Sequence, residues 1–266
     1  MAVEGVAQIV ASSQDSRWIA AGTSNGDVLV WNATTYEQVF ADRTGSTIWD
    51  VDFSPDSSRL VSADTTAGTA TIWDFATRQK VQTLDHGSGW VNSARYHPQG
   101  NRIATSTNEC VRVWDGIDGR LLVDVKVPTS GLLWSNSYLF VETVERIVKQ
   151  INAATGSTVS EWPITDHGWF MDVPQHGKFI AYSAKKTITF RDTGPHSQFI
   201  PIQHTHDIGS ISFSPDGQLL AITAKSKIVL KDLSSLVSCF VLVRFASHLQ
   251  SILTASQSLY IPGSRP

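Results

Sequence analysis

Three short stretches of this 266-residue chain contain residue types that could support chemistry. The two histidines of HTHD, His204–Asp207, stand two residues apart, would point the same way on an extended chain and could bind a metal ion. Asp50 and Asp52 are also two residues apart and have the residue types of a glycosidase acid and base. The string GTSNG, Gly22–Gly26, matches the G-x-S-x-G pattern around a serine nucleophile.

Each stretch also has a structural interpretation that we favour. No nearby segment offers the further ligands that a closed metal site around His204–Asp207 would need. A nucleophile elbow requires a helix after the serine, whereas the strand-like DVLVWN follows Gly22–Gly26 and predicts a hairpin turn. Asp50 and Asp52 fit a solvated or channel-facing strand edge, and Cys110 fits a half-buried strand residue. We therefore predict no catalytic residue, no metal and no cofactor.

Composition narrows the classes of partner and location. The net charge is -3, so the chain has no basic excess that would predict nucleic acid as a partner. The two cysteines, Cys110 and Cys239, have no metal-site or disulfide spacing, which fits a reducing compartment. The N-terminus does not resemble a signal peptide, and the most apolar run, 236–243, is shorter than the roughly 18 to 20 residues of a membrane span. The sequence predicts a protein without membrane contact in the cytoplasm, with the nucleus as the alternative.

Internal repetition is the strongest pattern in the chain. Trp31, Trp73 and Trp114 stand 42 and 41 residues apart, each at the end of a run rich in Val, Ile and Thr. Three later copies have Ile151, Arg191 and Lys231 in place of the tryptophan, at spacings of 37, 40 and 40. Each copy contains three or four short runs of strand-forming residues separated by turn residues. Units of about 40 residues with four strands, repeated side by side, predict an all-β propeller.

The segments VDFSPDSSRLVSA…TATIWD, ARYHPQGNRIATS…VRVWD and ISFSPDGQLLAIT…KIVLKD resemble WD40 repeats over about residues 5–235. The resemblance implies a WD40-type β-propeller of about six recognisable four-stranded blades over 1–243. A seven-blade design with one blade missing or degenerate is the alternative. Residues 244–266 are predicted to be a short tail, partly helical or disordered. This tail is similar to the segment of some fungal WD40 proteins that leads into tetratricopeptide repeats.

The WD40 resemblance also implies a hydrogen-bond network from a histidine to the tryptophan of each blade. Thr44 stands at the histidine position in the second copy, and His86 stands one residue early in the third. His204 falls in place, but Lys231 replaces the tryptophan of that copy. We therefore predict that the network is incomplete in every aligned blade and that packing stabilises the blades.

The family resemblance implies a non-enzymatic protein-interaction scaffold that binds other proteins through the face where each first strand begins. Ile48, Val51 and Phe53 are spaced three and then two, which predicts a bulge that turns Trp49 outward. Lysines in turns of blades 5 and 6 lie opposite acidic residues of blades 2 and 3, which predicts a charge gradient across this face. The lysines are Lys185, Lys186, Lys225 and Lys227, and the acidic residues are Asp64, Asp85 and Glu109. The predicted binding residues are Trp49, Trp90, Asn92, Trp169, Asp207, Lys185 and Lys186.

Two alternatives to the scaffold remain open at this stage. A propeller enzyme would need convergent acids from several blades, whereas the sequence places two acids, Asp50 and Asp52, on one strand. A truncated gene product without a stable ring would fit the divergent later copies.

Overall fold

A computed structural model describes residues 6–65, 68–87, 89–164, 170–173, 179–193, 199–214, 216–224 and 227–233. These residues form 23 strands in six antiparallel sheets, and none of them is helical. The prediction of an all-β propeller of about six blades is confirmed. No helix in the described ranges is long and apolar enough to cross a membrane. The predicted tail, 244–266, and its likeness to a segment before tetratricopeptide repeats lie outside these ranges.

The first three blades each contain four strands that are hydrogen-bonded in chain order. Blade 1 contains β1 Ala7–Ser12, β2 Trp18–Thr23, β3 Asp27–Asn32 and β4 Gln38–Arg43. Blade 2 contains β5 Ile48–Phe53, β6 Arg59–Asp64, β7 Thr69–Asp74 and β8 Gln79–Asp85. Blade 3 contains β9 Val91–Tyr96, β10 Arg102–Thr107, β11 Val111–Asp115 and β12 Leu121–Val125.

The later blades keep the same order, although their sequence markers have diverged. Blade 4 contains β13 Thr129–Ser135, β14 Tyr138–Thr143, β15 Ile147–Asn152 and β16 Thr158–Pro163. Blade 5 contains β17 Phe170–Asp172, β18 Phe179–Ala184, β19 Thr187–Asp192 and β20 Phe199–Gln203. Blade 6 contains β21 Ile208–Phe213, β22 Leu219–Ala224 and β23 Lys227–Asp232 in the described part of the chain.

The register of the third strands is the same in all six blades. Each residue at the predicted tryptophan position pairs with an apolar residue at the same place in its second strand. The six pairs are Trp31 with Ile19, Trp73 with Leu60, Trp114 with Ile103, Ile151 with Leu139, Arg191 with Ile180 and Lys231 with Leu220. The predicted alignment of the six copies is therefore confirmed.

Apolar clusters between consecutive blades form the core. Val28 and Val30 of blade 1 pack with Ile48, Val51 and Phe53 of blade 2, and similar clusters join each later pair up to blades 5 and 6. We call the side of a blade that packs on the next blade its forward face, and the opposite side its rear face. Because blades 2 to 5 each bury one face on either neighbour, their apolar residues contribute to stability mainly through the neighbouring blades.

Arg191 shows how a divergent copy can keep the packing of the repeat. In blade 2, Trp73 packs on Phe40 of the preceding blade with ring centroids 5.8 Å apart. In blade 5, the Arg191 guanidinium carbon lies 3.7 Å from the centroid of Trp162, which belongs to the preceding blade. Arg191 is only 9% exposed, and a planar guanidinium can stack on an indole in place of a ring.

A bulge recurs near the start of the first strand. In blade 2 the pairing of β5 with β6 skips Trp49, because Ile48 pairs with Asp64 and Asp50 pairs with the adjacent Ala63. The skipped residues in the five blades with this bulge are Gln8, Trp49, Asn92, Ser130 and Gly209. The predicted bulge at Trp49 is confirmed. The extra residue reverses the alternation of the strand locally, so its side chain can leave the core.

Candidate functional site

One face of the ring is built from the turns between second and third strands and the loops that enter the first strands. In blade 2, the Thr65 N–H donates to the Thr47 carbonyl over 3.2 Å. On the other side of the ring, the Ile208 N–H donates to the Lys185 carbonyl over 2.7 Å. These bonds fix turns and entering loops side by side. We call this side the top face.

Two tryptophans at the top face are far more exposed than the core tryptophans. Trp49, at the bulge of β5, is 50% exposed, and Trp90, directly before β9, is 65% exposed. Five core tryptophans are only 3 to 7% exposed: Trp31, Trp73, Trp114, Trp134 and Trp162. Blades 2 and 3 therefore present two large indoles to solvent at the same end of the ring. Trp169, the other predicted tryptophan, lies outside the described residues.

The remaining predicted site residues surround the top face. Asn92 is half-buried at the bulge of β9, the position that Trp49 has in β5. Lys185 and Lys186 are exposed in the turn of blade 5, and Asp207 is exposed in the loop that enters blade 6. The structure thus places the tryptophans and Asn92 on blades 2 and 3, and the lysines and Asp207 at blades 5 and 6.

The acidic side of the predicted gradient is smaller than the sequence suggested. Asp85 and Glu109 are exposed at the top of blades 2 and 3. Asp64 is only 2% exposed, and its carboxylate accepts a hydrogen bond from the Ser46 hydroxyl. The prediction that Asp64 contributes to the charged surface is therefore wrong, because its side chain is buried and binds the loop that enters blade 2.

The carboxylate of Asp50 joins blade 2 to blade 3. It is 3% exposed and accepts bonds from the Ser93 hydroxyl at 2.6 Å, the Ala94 N–H at 3.1 Å and the Arg95 guanidinium at 2.6 Å. The prediction of a solvated or channel-facing edge is wrong for Asp50. Because the bulge at Trp49 reverses the alternation, the next residue turns towards the neighbouring blade.

Asp52 of blade 2 and Asp172 of blade 5 also connect their blades to the following ones. An Asp52 oxygen accepts the Tyr96 N–H of blade 3 at 2.8 Å, and an Asp172 oxygen accepts the Phe213 N–H of blade 6 at 2.6 Å. Burial raises the pKa of Asp52 to about 6, against the opposing effect of Arg95. Burial also raises the pKa of Asp172. One oxygen of each of these carboxylates therefore bonds to the backbone of the following blade.

Sequence reasoning missed this role of the carboxylates, although a signal was present. Asp52 directly precedes Phe53, and Arg95 directly precedes Tyr96, at the same position of consecutive first strands. Opposite charges at one position of neighbouring repeats indicate an inter-blade ion pair, and in the structure Arg95 forms this pair with Asp50, at 2.6 Å. Burial lowers the pKa of Arg95, but the nearby Asp50 and Asp52 outweigh it and the net shift is upward.

Blade 3 contains a hydrogen-bond chain from a histidine to its tryptophan. The Trp114 indole N–H donates to the Thr105 hydroxyl over 2.7 Å, and the same hydroxyl lies 2.7 Å from Nε2 of His86. Burial lowers the pKa of His86 to about 4, which favours a neutral ring whose tautomer decides whether Nε2 donates to the Thr105 hydroxyl or accepts from it. The prediction that no blade completes this chain is wrong, because the loop before β9 places His86 correctly despite its shifted sequence position.

Cys110 belongs to the same buried group. Its sulfur lies 3.8 Å from Nδ1 of His86, and the residue is 4% exposed. The predicted half-buried position is therefore wrong, since Cys110 is fully buried. A buried thiol beside a neutral imidazole has no access to a substrate and acts as a small core residue.

The other two chemical candidates form loop structure. The Gly26 N–H donates to the Thr23 carbonyl over 3.2 Å, and Gly26 has φ +87°, so the predicted hairpin turn is confirmed. In HTHD, the His206 N–H bonds Nδ1 of His204 at 3.3 Å, and the Thr205 hydroxyl lies 2.8 Å from Nδ1 of His206. Throughout the described ranges, no three His, Cys, Asp or Glu side chains form a group that could hold a metal.

Clefts of moderate size include two that are lined by described residues. One of about 260 Å³ lies between blades 3 and 4, against His97 and Trp134. The other, of about 360 Å³, is lined by residues of blades 1 and 2, including Arg43 and Lys80. Neither of these two clefts is lined by Asp50 or Asp52.

Comparison with solved structures places the fold among known propellers. The chain is 14% identical to the β-propeller domain of Myceliophteria thermophila Cps50 (Swd1), with a TM-score of 0.74. The alignment covers 87% of this chain and 84% of that one. It is also 14% identical to Kuenenia stuttgartiensis hydrazine synthase, with a TM-score of 0.75, over 88% of this chain and 78% of that one. At this identity the similarity indicates the fold alone. A search of curated protein sequences gives no match.

A family comparison matches four segments of the chain. The family described as WD domain, G-beta repeat covers residues 4–32, 35–74, 78–115 and 197–230, together more than half of the chain. The unmatched middle, 116–196, contains most of blades 4 and 5, which keep the strand order of the repeat. The chain therefore belongs to the WD40 family of G-beta repeat proteins.

Proposed function

We propose that this WD40 propeller is a non-enzymatic protein-interaction scaffold that binds its partner through the top face of blades 2 and 3. The exposure of Trp49 and Trp90, 50% and 65%, is the observation that carries the proposal. An exposed indole can bury a large apolar area on binding with little loss of side-chain freedom. Tryptophan is accordingly enriched among the residues that dominate binding energy.

The scaffolding below the two indoles supports a rigid binding surface. Asp50 and Asp52 of β5 accept hydrogen bonds from the backbone of β9. Trp49 lies in β5, and Trp90 directly precedes β9. A surface that is held in place before binding loses less entropy when a partner docks. The bulge directs the Trp49 side chain out of the core, so a partner can contact this indole without the unfolding of any packed strand.

Charges around the indoles favour a partner with a defined orientation. Asp85 and Glu109 lie on the blades that bear the tryptophans, whereas Lys185 and Lys186 lie on blade 5. A partner with basic residues beside its apolar contact and acidic residues farther away would match both sides. Exposed charges of this kind steer association and select orientation more than they add affinity.

The Trp49→Ala and Trp90→Ala variants are expected to lose the same set of partners in affinity purification from cell extract. Each replacement removes a large exposed ring, and loss of a tryptophan at the centre of an interface typically costs about 2 kcal/mol or more, roughly a thirtyfold weakening. The measurement is quantitative mass spectrometry of the proteins retained by each variant and by the wild type.

Ile117→Ala provides the matched control, because Ile117 is 77% exposed in the turn after β11, away from the top face. It should retain the complete partner set. If the two tryptophan variants retain the same proteins as the wild type, the top face of blades 2 and 3 is not the binding surface. Selective loss from Ile117→Ala would point to the opposite face instead.

A further inference from the structure

The cleft between blades 3 and 4 is lined by polar side chains with a single formal charge among them. It lies at the end of the ring opposite the top face, against the turns that follow β9, β13 and β15. Of the described residues that line it, Arg102 carries the charge. The uncharged hydrogen-bonding groups of the lining include the side chains of Gln99, Asn101, Asn136 and Ser137. The described lining therefore combines a positive charge with hydrogen-bonding groups.

The positive charge remains because one turn of the repeat has lost its carboxylate. In blades 1, 2 and 6 a serine after the first strand donates its hydroxyl proton, over 2.6 Å, to an aspartate two residues later. These pairs are Ser13 with Asp15, Ser54 with Asp56 and Ser214 with Asp216. The same turn of blade 3 has His97 at the serine position, as the shared backbone bond shows, and Gln99 at the aspartate position. An amide therefore stands where three other blades have a carboxylate.

Arg102 keeps its charge unpaired in this cleft. It is half-buried at the start of β10, and no described carboxylate lies within ion-pair distance of it. Asp115 is its partner in the strand register, but the Asp115 carboxylate accepts the N–H groups of Ile117 and Asp118 in its own turn and does not line the cleft. A guanidinium presents several N–H donors in a planar fork, so this one can bind an anion that enters the cleft.

Hydrogen bonds hold the two walls of the cleft together. Nδ1 of His97 accepts the Gln99 N–H at 3.0 Å, so the proton of this ring is on Nε2, which donates to the Asn136 carbonyl of blade 4 over 2.8 Å. The Trp134 indole N–H donates to the same carbonyl over 3.0 Å, and the rings of His97 and Trp134 pack with centroids 5.0 Å apart. A cleft that is shaped before binding loses less entropy when it is occupied.

The size and charge of the cleft indicate one acidic side chain as its occupant. Its volume is about 260 Å³. Sites for whole small molecules are typically larger, roughly 300 to 1,000 Å³. A single arginine matches the two oxygens of a carboxylate, whereas phosphorylated side chains are typically bound by clusters of arginines. Ala153 and Ala154 also line the cleft and offer apolar contacts to the methylene groups of a glutamate.

We infer that the cleft between blades 3 and 4 binds a glutamate side chain of a partner protein. The carboxylate accepts hydrogen bonds from the Arg102 guanidinium, and the methylene groups contact Ala153 and Ala154. This site lies at the opposite end of the ring from Trp49 and Trp90 and does not depend on the proposed function of the top face.

A blocked tripeptide with a central glutamate between two alanines is the probe, and the same peptide with glutamine is its uncharged control. In the full chain with isotope-labelled tryptophan, the indole N–H signal of Trp134 reports occupancy, because Trp134 lines the cleft. NMR titration should show a saturable shift of this signal with the glutamate peptide and none with the glutamine peptide at the same concentrations. Added salt should weaken the binding.

Arg102→Gln is expected to weaken binding of the glutamate peptide about tenfold or more, because it removes charge-assisted hydrogen bonds to the carboxylate. Gln99→Asp should also weaken binding, because it returns a carboxylate to the turn. This variant has the aspartate that blades 1, 2 and 6 carry at this position, so the turn should still form. Arg17→Gln, a change of an exposed arginine in the turn before β2, should leave binding unchanged. Trp49→Ala should also bind normally, which separates this test from that of the top face.

Three results would overturn the inference. One is the absence of a saturable shift with the glutamate peptide, or an equal shift with the glutamine peptide. Another is undiminished binding by both Arg102→Gln and Gln99→Asp, which would show that Arg102 is not the receptor. The third is a shift of the Trp134 signal by inorganic phosphate at concentrations where the glutamate peptide gives none, which would assign the cleft to a phosphate group instead.

Discussion

Replacing Asp50 with alanine is expected to lower the free energy of unfolding by about 3 kcal/mol, the cost typical of breaking a buried ion pair from one side. Asp50 is 3% exposed and accepts hydrogen bonds from the Ser93 hydroxyl, the Ala94 N–H and the Arg95 guanidinium. The replacement leaves these donors without their acceptor and leaves Arg95 without its closest counter-charge. Urea denaturation of wild type and variant, followed by tryptophan fluorescence, measures the difference.

Glu161→Ala is the matched control for this loss. Glu161 pairs with Lys149 at 3.4 Å, but its side chain is 56% exposed, so water screens the pair. This replacement should change the free energy of unfolding by less than about 1 kcal/mol. If Asp50→Ala is no more destabilising than Glu161→Ala, the carboxylate of Asp50 does not join the blades as described.

The pH dependence of stability is expected to contain two opposing contributions between about pH 4 and pH 6.5. Burial raises the pKa of Asp52 from 3.8 to about 6, so the folded chain holds this proton more tightly than the unfolded chain. That contribution to stability is fully present below pH 3.8 and is lost as the pH rises through 6. Asp172 and Glu142, whose pKa values are also raised by burial, act in the same direction.

His86 makes the opposite contribution. Burial lowers its pKa from 6.5 to about 4, so protonation favours the unfolded chain. Its contribution to stability is fully present above pH 6.5 and is lost as the pH falls through 4. His97, whose pKa burial also lowers, has the same sign.

The Asp52→Asn variant separates these contributions, because its amide does not titrate. From pH 4 to pH 6.5, its free energy of unfolding should rise relative to the wild type by about 2 kcal/mol. His86→Gln should change in the other direction over the same range. The measurement is urea denaturation at closely spaced pH values. Parallel curves for the wild type and Asp52→Asn would contradict the assigned burial of this carboxyl group.

The sequence predicted the features that recur with the repeat. The spacing of Trp31, Trp73 and Trp114 located the third strands, and the interval between Ile48, Val51 and Phe53 located the bulge at Trp49. These features depend on local alternation and turn residues, which a single repeat already contains. The same reasoning distinguished Trp73, which packs in the core, from Trp49, which is half exposed.

Features that depend on contacts between repeats were predicted less well. Asp50 was expected at a solvated or channel-facing edge, since its bond partners on β9 are more than 40 residues away in the chain. Asp64 was expected at the surface, and His86 was expected outside the hydrogen-bond chain to Trp114. Both expectations were wrong because the geometry of the loops determines where these side chains lie. The exposure of Ile228 and Leu230 in β23 has no sequence signal, since apolar residues are buried at these positions in other blades.

Photo-crosslinking from the top face tests the proposed scaffold function most directly. A benzophenone amino acid placed at Asn92, at the bulge of β9 shortly after Trp90, should crosslink to a partner protein in cell extract. The same amino acid at Ile117, in the turn after β11, should give no such product. Crosslinks from position 117 and none from position 92 would contradict the assignment of partner binding to the top face of blades 2 and 3.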